Sequence, residues 1–85
     1  MLSYLRQVAI CESVREMIKT ALAQSDDAGV RAKAPSIPPN ESVLRAVSLF
    51  PSVDTEEKLK DFTIEHVLSS LRLTAIQREH LNLNG

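Results

Sequence analysis

Over the first quarter of the chain, apolar residues recur at helical spacing. Placed at 100° steps, Ile10, Cys11, Val14, Met17, Ile18, Ala21 and Leu22 gather on one side, with Tyr4 and Val8 at its edge. Glu12, Arg15, Glu16 and Lys19 gather on the other, so the pattern predicts one amphipathic helix over residues 3–24. Ser3 is placed to cap it, and the pairs Glu12–Arg15 and Glu16–Lys19 add small i,i+3 attractions. At 1.5 Å per residue the helix is a rod of roughly 33 Å.

The periodicity then stops. Residues 25–40, S-D-D-A-G-V-R-A-K-A-P-S-I-P-P-N, hold three of the four prolines, and Pro38-Pro39 bars a helix through that point. A connection this long is unusual inside a compact domain. It reads as a linker, a strap across the surface, or a hinge for exchanging the first helix between two chains.

A compact unit of short helices is expected over 41–85. Asn40 can cap a helix over about 41–50, with Val43, Ala46, Val47 and Phe50 on one side, and Pro51 ends it. Asp54 with Glu57 has capping-box spacing. A straight helix from there would point Leu59 and Phe62 away from Ile64, Val67, Leu68 and Leu71. The pattern therefore predicts a break near Phe62-Thr63, with Thr63 capping a helix over 64–72. Thr74 and Gln77 form a second capping-box pair opening a last helix over about 75–82, followed by a frayed tail over 82–85. No stretch alternates with period two, which argues against strands. The fold class is all-α: one long N-terminal amphipathic helix, a Pro-rich connector, and three or four short helices in a small bundle. The three segments 1–24, 25–40 and 41–85 are expected to form one domain.

Composition sharpens this picture. For 85 residues and 9.4 kDa, area scaling gives roughly 5,000 Å² folded against roughly 13,600 Å² extended, a thin core for a monomer. Two Phe, one Tyr and no Trp make it thinner. The formal net charge of −1 is spread without a basic stripe or an acidic tail, so nucleic acid is a disfavoured partner. One cysteine forms no intrachain disulfide and no paired-cysteine metal site. Arg6, Glu12, Arg15 and Glu16 interrupt any apolar run near the start, so neither a signal peptide nor a membrane span is expected, and the expected location is cytoplasmic.

Candidate chemistry is sparse. His66 and His80 are the histidines, and no metal-ligand spacing joins them to Glu65, Glu79 or Cys11. Cys11 lies on the apolar side of the first helix among Val8, Val14 and Ile18, where it reads as a small buried hydrophobe rather than a nucleophile. Two glycines, Gly29 and Gly85, cannot build a phosphate-cradling loop. Ile64, Leu68, Leu71 and Leu73 match a leucine-rich nuclear export spacing, but a core-facing helix produces the same pattern. Asn40-Glu41-Ser42 satisfies the N-glycosylation pattern and reads as a chance match.

No enzyme, cofactor, metal or small-molecule substrate is expected. The sequence points to a small helical protein–protein interaction module, such as an adaptor, assembly factor or inhibitor. It would act through the apolar face formed by Tyr4, Val8, Ile10, Cys11, Val14, Met17, Ile18, Ala21 and Leu22. If the short helices cannot cover that stripe, a second chain will, as a homodimer or a different protein. The alternative is a helix-turn-helix DNA-binding regulator built from helices at 55–61, 64–72 and 75–82, offering Glu65, His66, Ser69, Ser70 and Arg72 to a groove.

Overall fold

The computed structural model describes residues 2–81 and Leu83. It consists of α1 (Tyr4–Ala23), α2 (Ala28–Arg31), a 3₁₀ turn (Ala34–Ser36), α3 (Asn40–Val47), α4 (Glu56–Leu71) and α5 (Ala75–Glu79). The fold is all-α, with no strand among the described residues. The expected tail over 82–85 lies, apart from Leu83, outside them.

α1 starts where the cap is predicted: the Ser3 hydroxyl accepts from the Arg6 N–H at 3.2 Å. Its 20 residues make a rod of about 30 Å. In a molecule of 39 × 22 × 19 Å, that rod must follow the long axis. α4 runs beside it in the same direction, since Arg6 meets Glu56 and, further along, Cys11 meets Thr63. Two parallel neighbours need a long return path. The connector and α3 supply it: Pro38 lies at the level of Arg15, Asn40 at the level of Val8, and the end of α3 beside Leu2 and Gln7. α3 thus descends antiparallel to α1 and covers its N-terminal half.

The connector covers the other half, and it is more ordered than its composition suggests. Asp27 caps α2 by accepting from the Gly29 and Val30 N–H groups, and Val30 is fully buried. Arg31 donates to the Ser25 carbonyl and Arg15 donates through Nε to the Pro38 carbonyl, both at 2.6 Å. Arg15, placed by periodicity on the polar side of α1, therefore ties the connector down as a strap. Gly29 sits where α2 approaches α5, since a Cβ there would stand 3.0 Å from the Gln77 amide nitrogen.

The expected break at Phe62-Thr63 is absent, and α4 is one continuous helix of 16 residues. Leu59, Thr63, Val67 and Leu71 form an i,i+4 ladder buried in the core. The polar Thr63 interrupts that ladder in the sequence pattern but not in space. Its hydroxyl donates to the Leu59 carbonyl at 2.8 Å and lies 3.6 Å from the Cys11 sulfur, so it is satisfied where it is buried. α4 packs against both α1 and α3, which lets apolar residues occupy a wider arc than one interface allows. Phe62, off the ladder, packs on Phe50 with ring centroids 5.1 Å apart.

Smaller corrections follow the same logic. The α4 cap is Thr55, accepting from the Lys58 N–H, rather than Asp54; Asp54 instead pairs with Lys58 at 3.2 Å. α3 is capped by the Pro39 backbone, and Asn40 is its first residue, donating its side-chain amide to the Val8 carbonyl. α3 ends at Val47, so Phe50 lies in the α3–α4 loop. α5 ends at Glu79, short of residue 82, but opens with the capping box of Thr74 and Gln77 as the spacing predicts. α4 ends at Leu71 and is capped by Arg72, whose φ of 54° is left-handed, a conformation usually given to glycine at a helix end.

Candidate interaction surface

The inner side of α1 is occupied by its own chain. Ile10, Cys11, Val14, Ile18 and Leu22 are each at most 5% exposed and belong to one core with Val43, Val47, Leu59, Val67, Leu68 and Leu71. Of the nine residues predicted to bind a partner, these five form that core. Val8, Met17 and Ala21 are half-buried and Tyr4 is exposed. Met17 and Ala21 border an open groove of about 600 Å³ whose polar wall includes Glu16, Thr20, Gln24 and His80.

The large apolar side chains left in solvent lie elsewhere. Tyr4 is 68% exposed and Leu5 80% in the first turn of α1, while Leu49 is 74% and Phe50 49% exposed in the α3–α4 loop. Both segments are at the same end of the long axis, where Leu2 and Gln7 share a shallow recess of about 170 Å³ with Val47, Phe50, Pro51 and Val53. The cause is geometric. At 100° per residue Leu5 lies about 140° round α1 from the buried Ile18, and Leu49 and Phe50 lie past the end of α3, in the loop before α4. Leu5 points off the apolar stripe, which is why stripe-based reasoning misses it. A further exposed apolar residue, Ile76 at 69%, is in α5.

The charges bordering this end are neutralised locally. Arg6 and Glu56 pair at 2.8 Å, with Lys60 3.6 Å from the same carboxylate oxygen. Their hydrogen bonding and charge hold Glu56 below the usual carboxylate range, Arg6 acting most strongly. Lys58 does the same to Asp54. The start of α4, which borders this end, thus carries ion pairs of both signs.

The candidate chemical groups are dispersed. Burial pushes the Cys11 thiol above its usual pKa and outweighs the opposing Thr63 hydroxyl, so the thiolate needed of a nucleophile is suppressed. His66 is half-buried and stacks on Phe62 with centroids 6.1 Å apart, whereas His80 is at the groove beside α1. Among the described residues no group of three or more His, Cys, Asp or Glu could hold a metal ion, and no helix is long and apolar enough to cross a membrane. The export-like residues pack inward, Leu68 and Leu71 buried and Ile64 and Leu73 half-buried. The Asn40 side chain is likewise turned inward, its Oδ1 buried and its amide on the Val8 carbonyl, so the folded chain does not present it for glycosylation. Continuity of α4 also removes the turn at 62–63 on which the three-helix DNA-binding arrangement depended.

No family model, curated protein or solved structure matches the chain.

Proposed function

We propose that this protein is a small non-catalytic helical protein–protein interaction module that binds through the end bearing Tyr4, Leu5, Leu49 and Phe50. The observation that carries the reading is the exposure of these four side chains together at one end, while the inner stripe of α1 is spent on the core. Large apolar side chains left in water at one end of a small protein mark a candidate contact site. Aromatic anchors with a polar rim are the usual anatomy of such contacts.

Docking through Ile10, Val14, Ile18 and Leu22 would require α1 to leave α3 and α4, which amounts to unfolding or to exchange of α1 between two chains. The end of the molecule demands no such rearrangement. Its cross-section of 22 × 19 Å offers on the order of 400 Å², about half of what each partner contributes to a standard interface, so the contact is transient.

The test compares wild type with a Leu5→Asp/Leu49→Asp variant, checked for folding by circular dichroism, and with Ile76→Ser as a control. Sedimentation velocity from low to high micromolar concentration reads self-association, and affinity capture with cross-linking reads other partners. Association or capture is expected to disappear in the double variant and to persist in the control. Capture that survives the double variant overturns the assignment of this end.

A further inference from the structure

We draw no further inference here: the strongest candidate, the apolar surface patch of Tyr4 and Leu5 at the start of α1 with Leu49 and Phe50 in the α3–α4 loop, already carries the proposed function, and nothing in the structure shows what covers it.

Discussion

The seam between α1 and α4 and the end of the molecule at the first turn of α1 use the same kinds of side chain with opposite outcomes. Along the seam, Ile18 and Leu22 of α1 and Leu59 and Val67 of α4 have no exposed surface. In the first turn of α1, Leu5 is 80% exposed. Hydrophobicity alone does not separate these leucines and isoleucines. What differs is the side of the helix each occupies and whether another helix stands against that side. Against the inner side of α1 stand α4 and, over its N-terminal half, α3, while over its C-terminal half the strap replaces α3. Leu5 lies on the outer side of α1, and Leu49 and Phe50 lie in a loop. Apolar residues in the first setting hold the fold, and those in the second are available for contact.

That contrast can be broken most directly by truncation in each region. Ile18→Ala is expected to cost about 2–5 kcal/mol, the range for deleting a buried branched side chain and leaving a cavity, read by urea unfolding. Leu5→Ala and Leu49→Ala should each stay within about 0.5 kcal/mol of wild type. If Leu5→Ala proves as damaging as Ile18→Ala, the end is part of the core and the comparison fails.

The strap gives an intermediate case. Arg15→Ala removes the bond to the Pro38 carbonyl and is expected to cost about 1 kcal/mol, with faster hydrogen exchange confined to residues 28–37. Unchanged exchange there would mean that Val30 and Ile37 hold the strap without Arg15.

Cys11 reports on the seam itself. Its buried thiol should react with a disulfide reagent far more slowly than in the urea-unfolded chain, and labelling should accelerate in Ile18→Ala but not in Leu5→Ala. The thiol pKa is raised in the folded state, so the folded chain holds the proton to higher pH than the unfolded chain. The associated stability is complete below the unfolded thiol range and is lost as pH rises from there through the raised folded value. Stability that climbs through alkaline pH would contradict this.

The smallest effect belongs to the rim. Glu56→Gln removes the partner of Arg6, and because both side chains are exposed the loss of stability should be slight and should vanish in high salt. The Glu56 carboxyl is depressed in the folded state, so its contribution is present above the unfolded carboxylate range and is lost as pH falls through the folded value. The variant should therefore lose stability less steeply than wild type on acidification.

Several features were legible before any packing was considered. The Ser3 cap, the amphipathic α1, the inward placement of Cys11 and the Thr74–Gln77 capping box rest on interactions within a few residues, and local pattern reports those faithfully. Thr63 shows why the middle of the chain did not yield in the same way. A polar residue in a buried ladder breaks the pattern, and its satisfaction depends on the Leu59 carbonyl of its own helix and on the Cys11 sulfur across the seam. Phe50 and Leu49 show the converse: apolar residues just past a helix end carry no periodic signal of which side they face.

By itself, then, the amino-acid sequence determined that the chain is all-α, where its first and last helices begin, and which side of α1 is apolar. Only the tertiary structure decided what lies against that side. Periodicity identifies a face to be buried, but the partner depends on direction and reach: α4 parallel to α1, α3 returning between them, and a strap long enough to bridge the two. Because that arrangement covers the inner stripe of α1, the contact surface we propose lies at the exposed beginning of α1 and in the α3–α4 loop rather than along the middle of α1.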